Sequence, residues 1–150
     1  MRGRLPKTGA RRVGQLSENG TTYVFPPARN WTGVSFIGST VSAGQITDGT
    51  AKTYLIGESQ LATQHYDTGL IEADRGHMYI GMAPDTVRMA EQTVRPSQDN
   101  SKSGYKGFGS AHHVSFNMSF CDGSVRFINY DIEGLTHERY GNRRDNEVVP

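Results

Sequence analysis

His112 and His113 stand side by side at the start of HHVSFNMSFCDGSVRF, residues 112–127. Together with Asp48, Glu58, Asp99 and Asp122, they are the side chains best suited to acid–base or metal chemistry. A metal site is the first possibility to weigh. Adjacent residues on a strand point to opposite faces, so the two imidazoles cannot readily share one ion. The chain has no H-E-x-x-H pattern and no i, i+4 histidine pair at this point. Its Asp-rich turns lack the spaced acids of a calcium-binding helix–loop–helix loop. Cys121 is the single cysteine, which excludes an intrachain disulfide and leaves a thiolate zinc site short of ligands. No metal and no cofactor is expected.

Catalysis is the second possibility. A Ser-His-Asp set can be drawn from almost any chain with several serines and histidines, and no G-x-S-x-G elbow is present. Glu58 and His112 could serve as acid and base only if the fold brings them together. The expectation is therefore not an enzyme. Asp48-Gly49 and Asp122-Gly123 read as turns, since glycine accepts positive φ and an Asp side chain can bond the backbone two residues on. The glycine-rich GYKGFGSAH leads into no helix that could cradle a phosphate.

The elements that must hold these residues are mostly strands. In the run after His113, Val114, Phe116, Met118 and Phe120 alternate with Ser115, Asn117, Ser119 and Cys121. With Asp122 and Gly123 as a two-residue turn, Phe120 faces Val125 and Met118 faces Phe127, so both strands bury their apolar residues together. A second strand is expected at Thr53–Glu58, with Tyr54 and Ile56 on one face and Leu55 and Gly57 on the other. TTYVFPP reads as a short strand ended by proline, WTGVSFIGSTV as strand or extended loop, and GHMYIGM as a strand around Met78–Ile80. Periodicity leaves PDTVRMAEQTV undecided between strand and helix, and RPSQDNSKSGYKG reads as a long loop. Asp131 is expected to cap a helix over Ile132–Tyr140 that ends at Gly141, with NEVV as a closing strand.

Composition agrees with a loop-rich fold. The 150 residues fit one domain, with 18 glycines and only about 19% Leu, Ile, Val and Phe. Net charge is +1, but residues 1–12 carry Arg2, Arg4, Lys7, Arg11 and Arg12 and no acid. Residues 1–20 are expected to be a loose basic arm and 21–150 a single β-rich domain. No aromatic residue is interleaved with the arm's charges, so no nucleic-acid partner is expected. No apolar run approaches the roughly 18 residues that span a bilayer, and no secretory signal pattern is present.

FGSAHHVSFNMSFCDGSVRF resembles the tail motif of a large bacterial family of prepilin-type proteins, a domain of unknown function. The signature is His, nine residues, then Asp-Gly, here His112 through Asp122 and Gly123. ITDGTAKTYLIGE, with Asp48, Gly49 and Glu58, is similar to a second family stretch. GMAPDTVRMA with RPSQD is similar to its middle segment, and YGNRRDNEVV to its ending. Departures are Ala51-Lys52 for Ser-Asn, Val114-Ser115 for Gly-Gly, and Asp145-Asn146 for Gly-Gly.

The resemblance implies an α+β fold, a pilin-like body with an antiparallel sheet that packs on an N-terminal apolar helix, here missing. It implies a C-terminal part of a longer, non-enzymatic protein of the cell envelope or exterior. Such a protein would assemble with like or unlike pilin-type subunits and touch membrane only through the missing helix. A solute- or glycan-binding module, in loops near Glu58, Asp99 and His112, is the alternative, and a metal-assisted hydrolase using His112 is a third reading. The pilin-like reading requires an exposed apolar face. The binding reading requires a concave pocket, and the hydrolase requires His112 within roughly 3 Å of a carboxylate. With so thin a core, the chain is expected to be marginally stable alone.

Overall fold

The structure is a computed structural model. It describes residues 31–149 except 37, 72–73, 75, 78, 80–82, 84, 102–105 and 148, together with the strand backbones at 13–16 and 22–24. In chain order the elements are β1 (Val13–Leu16), β2 (Thr22–Val24), β3 (Tyr54–Gly57), β4 (Ser97–Gln98), β5 (Gly109–Ser110), β6 (Ser115–Phe120), β7 (Val125–Asn129) and α1 (Gly134–Gly141). The fold is α+β. A three-stranded antiparallel sheet has the order β3-β6-β7, β1 pairs antiparallel with β2, and β4 pairs parallel with β5.

β6 is the centre of the molecule. Its alternation holds: Phe116, Met118 and Phe120 are fully buried while Ser115, Asn117 and Ser119 are not. They pack with Tyr54 against Phe108, Ile128, Tyr130 and Tyr140. The contacts are largely aromatic: Tyr54 meets Phe120 edge-on at 5.2 Å and Phe116 stacks on Tyr130 at 6.0 Å. Burying each such side chain contributes about 1.5–3 kcal/mol, so a few rings carry much of this small core. Val114 lies before the strand begins and is exposed, against the expectation that it shares the buried face.

The hairpin forms, but one register away from the expected pairing. Ser119 faces Val125, Met118 faces Arg126 and Phe116 faces Ile128. The turn holds three residues, Cys121, Asp122 and Gly123, closed by Phe120 N–H donating to Ser124 O at 2.8 Å. Gly123 N–H donates to Phe120 O at 3.0 Å, and Gly123 has φ 86°, the left-handed residue such a loop requires. Ser124 donates to Asp122 Oδ1 from its N–H at 2.9 Å and from its hydroxyl at 2.7 Å. These bonds settle Ser124 just beyond the turn. The one-residue slip exchanges the faces of β7: Val125 and Phe127 turn outward, and Arg126 turns inward, its guanidinium 4.2 Å from the Phe120 ring centre.

β3 also departs from simple alternation. Tyr54 pairs with Phe120 and Ile56 with Ser119, so an irregularity at Leu55 puts Tyr54 inside and Ile56 outside. Gly57 then sits on the inner side, where a Cβ would lie 2.4 Å from Met118 Cε. The helix is shorter than expected: Glu133 occupies the cap position in place of Asp131, and the helix runs through Gly141. Asn146, Glu147 and Val149 form no strand, and neither do residues 31–36 and 38–41, which bend and turn. Residues 85–94 settle as neither helix nor strand, with an isolated bridge between Glu91 and Val94. The long loop holds β4 at Ser97–Gln98. Within the expected loose arm, Val13–Leu16 instead forms β1, and its basic residues lie outside the described residues. So do Met78 and Ile80, around which another strand was expected.

Candidate functional site

The antiparallel pairing of β3 with β6 sorts the six singled-out residues into two groups at opposite ends of one strand pair. Asp48 and Glu58 are ten positions apart, as are His112 and Asp122, and the two strands run in opposite directions. One end therefore gathers Glu58 and His112, and the other gathers Asp48-Gly49 and Asp122-Gly123.

At the first end, Glu58 N–H donates to Asn117 O at 3.2 Å, extending the ladder past β3. The Glu58 carboxylate accepts from the Asn117 N–H at 2.6 Å and from the Asn117 amide at 3.1 Å. His112 Nε2 lies 3.9 Å from Glu58 Oε1, beyond hydrogen-bond reach, and its side chain is 65% exposed. The His112 backbone, by contrast, is held: its N–H donates to Ser110 Oγ at 3.2 Å and its carbonyl accepts from Tyr130 Oη at 3.0 Å. His113 is 3.0 Å from the Gln98 amide and takes no part with His112. The two imidazoles have different neighbours, Glu58 for His112 and Gln98 for His113.

At the second end, the two Asp-Gly turns lie against each other. Asp122 N–H donates to Thr50 O at 3.1 Å and Cys121 N–H to Thr53 O at 2.9 Å. Gly49 has φ 97°, and its carbonyl accepts the Thr53 hydroxyl at 3.1 Å. The Asp48 carboxylate receives the N–H groups of Asp145 and Asn146, each at 2.8 Å. It thereby pins the C-terminal segment to the turn. Hydrogen bonds from Ser124 hold the Asp122 carboxyl below its usual pKa. Burial, and then Asp122, raise the Cys121 thiol, which is the wrong direction for a reactive thiolate. Every carboxylate of the set is occupied with backbone or turn geometry. Among the described residues no group of three or more His, Cys, Asp or Glu could hold a metal.

Residues outside these six do as much to build this region. Arg143 donates from its guanidinium to Trp31 O and Gly33 O, and its carbonyl receives Thr47 N–H at 2.8 Å. His137 is fully buried, with Nδ1 3.3 Å from Tyr54 Oη and rings of Phe108 and Phe116 edge-on to it. Burial, assisted by Arg95, lowers its pKa to about 4. Asp99 accepts Leu61 N–H at 2.8 Å and the Tyr66 hydroxyl at 2.5 Å, a bond that pushes the Tyr66 pKa up to about 12. Asp99 thus fastens a neighbouring turn and does not approach His112 through any of these bonds.

Two surfaces remain. The outer face of the three-stranded sheet presents Ile56, Val125 and Phe127, exposed by 70%, 66% and 78%, with Ser119 and Asn117 between them. Beside the edge strand β3 lies a cleft of about 480 Å³, whose lining includes Tyr54, Ile56, Phe108, Asp85, Val87 and Arg88. Arg88 Nη1 donates to Val87 O at 3.2 Å, while its Nε and Nη2 are shielded from solvent and have no partner. Burial lowers the Arg88 pKa against the opposing fields of Asp85 and Asp74. Asp85 Oδ1 is likewise shielded and unpartnered. The cleft joins residues of β3 to an irregular segment around residues 85–90.

A small α+β protein with an antiparallel sheet and structural carboxylates is the class that this geometry defines. The family model described as "Protein of unknown function (DUF1559)" matches residues 6–135, and the chain belongs to that family. No curated protein and no solved structure matches the chain.

Proposed function

We propose that the chain is part of a non-enzymatic, extracytoplasmic pilin- or pseudopilin-like structural protein whose sheet seats an apolar helix on its outer face. The observation that supports this is the row of Ile56, Val125 and Phe127 turned outward across β3, β6 and β7. Three strands spaced about 4.8 Å apart make a platform about 10 Å across, the width of one helix. Small Ser119 and polar Asn117 in the middle strand let a helix approach between the larger outer residues. Large exposed apolar groups clustered on one face mark interaction surfaces.

No catalytic residue is assigned. The 3.9 Å separation of His112 and Glu58, and the bonds from Asn117 to that carboxylate, favour a structural role for both. The envelope location and assembly with like or unlike pilin-type subunits rest on this reading. Fractionation of source cells with an antibody to this chain tests it. The protein should appear in the envelope or the sheared surface fraction, and Phe127→Asp should remove it from assemblies. Recovery of wild-type protein wholly in the cytosol would overturn the proposal.

A further inference from the structure

The outer edge of β7 is open for hydrogen bonding. β7 ends the sheet order β3-β6-β7, and it pairs with β6 in a register without irregularity. The Phe120 N–H bond to Ser124 O and the Tyr130 N–H bond to Val114 O fix which backbone groups point where. In an antiparallel pair, alternate residues spend their backbone groups on the neighbour. Arg126 and Ile128 therefore bond β6, while Val125 and Phe127 turn their N–H and C=O groups outward. Among the described residues nothing bonds those four outward groups, and both side chains are exposed. The devices that usually blunt such an edge are missing from VRFIN, which has no proline, no lysine and no bulge. Arg126 does not guard the edge, because its guanidinium turns inward, 4.2 Å from the Phe120 ring centre.

We propose that a second copy of this chain pairs with β7 across a two-fold axis, antiparallel, with Phe127 opposite Phe127. The strand's own charge pattern fits this partner and this register. Arg126 falls opposite Ile128 of the other copy and Val125 opposite Asn129, so no like charges meet. A slip of two residues one way would set Arg126 directly opposite Arg126, which is destabilising. A slip of two the other way would set Val125 opposite Asp131, past the end of β7. A slip of one would oppose outward groups to groups already spent on β6. In the chosen register the two Phe127 backbones exchange a pair of hydrogen bonds, and their rings form an aromatic cross-strand pair. Six strands join into one sheet, with the Val125 and Phe127 side chains of both copies on the same side. The inference does not rest on the seating of a helix: a helix uses side chains of the outer face, whereas the second copy uses the backbone edge.

The test is sedimentation equilibrium of the full chain together with disulfide trapping. A reversible monomer–dimer equilibrium is expected. Phe127→Pro removes an outward N–H and no bond to β6, and should weaken association at least about tenfold. Ile56→Lys, on the far strand β3, alters the outer face but not the edge and should leave association unchanged. Trapping uses a Cys121→Ser background and reads the pairing whether or not the proline variant folds. Phe127→Cys should give a disulfide-linked dimer under mild oxidation, since opposed residues of a bonded pair have Cα atoms about 5.5 Å apart, within disulfide reach. Val125→Cys alone should not cross-link, because its two copies lie four residues out of step, but a mixture of Val125→Cys and Asn129→Cys should. A monomer alone up to about 1 mM would overturn the proposal. So would association that Ile56→Lys abolishes, which places the contact on the outer face, or trapping through Val125→Cys alone, which places it in another register.

Discussion

The Tyr54 hydroxyl lies 3.3 Å from His137 Nδ1 at the centre of the core, and His137 Nε2 is buried with no partner. An imidazole placed there is held neutral, since Nδ1 has one neutral neighbour and Nε2 has nothing to receive a second proton's charge. In the unfolded chain the same ring has its ordinary pKa of about 6.5. Below that value the unfolded state binds the proton and the folded state does not, until the folded pKa of about 4 is reached. Stability is therefore fully present above about pH 6.5 and falls as pH drops toward about 4, by about 3 kcal/mol from this group. Urea unfolding at pH 7.5 and pH 5 should show the loss, and His137→Phe should flatten that part of the profile. An unchanged slope in the variant would assign the pH dependence elsewhere.

Asp48 receives two backbone N–H groups of the C-terminal segment, so Asp48→Ala should cost about 1–3 kcal/mol and free that segment. Hydrogen exchange at Asp145 and Asn146 should accelerate while exchange in β6 changes only by the global loss. Equal acceleration throughout would deny the clamp.

Gly123→Ala places a side chain at φ 86° and should destabilise by about 1 kcal/mol without loss of the hairpin. Chemical denaturation measures the loss, and cross-strand contacts between Ser119 and Val125 in NMR spectra report whether the register survives. Contacts between Phe120 and Val125 instead would mean that the two-residue turn has taken over.

Glu58 and His112 should behave differently on substitution. His112→Ala removes an exposed ring and should change stability by less than about 0.5 kcal/mol. Glu58→Ala leaves the Asn117 N–H and amide without their acceptor and should cost about 1–2 kcal/mol. Thermal or urea unfolding of both variants separates the roles, and a larger effect at His112 would contradict the structural assignment.

The sequence was legible where one residue type had one geometric solution. The alternation of β6 could only be a strand with Phe116, Met118 and Phe120 on one side, and it is. The register of its partner was not legible, because Asp-Gly suits both two- and three-residue loops, and the choice rests on the bonds from Ser124 to Asp122. The same limit hid the outward face, since the slip is what turns Val125 and Phe127 to solvent. In YLI three apolar residues stand in a row, so nothing marked Leu55 as the point where alternation breaks. The spacing of Asp48 from Glu58 and of His112 from Asp122 was visible, but its meaning appears only once β3 and β6 run antiparallel. His137 and Arg143 were not singled out as site residues, because their roles come from tertiary neighbours distant in the chain.

The outward face of β7 carries the functional reading, and its occupancy can be observed directly. A photo-activated cross-linker installed at position 127 of the gene's product, exposed to light in intact cells, reports what lies over Phe127. The account expects a dominant adduct within an apolar helix of a pilin-type envelope protein, of this gene product or of another subunit. Adducts confined to soluble cytosolic proteins, or no adduct from protein present at normal abundance, would contradict it.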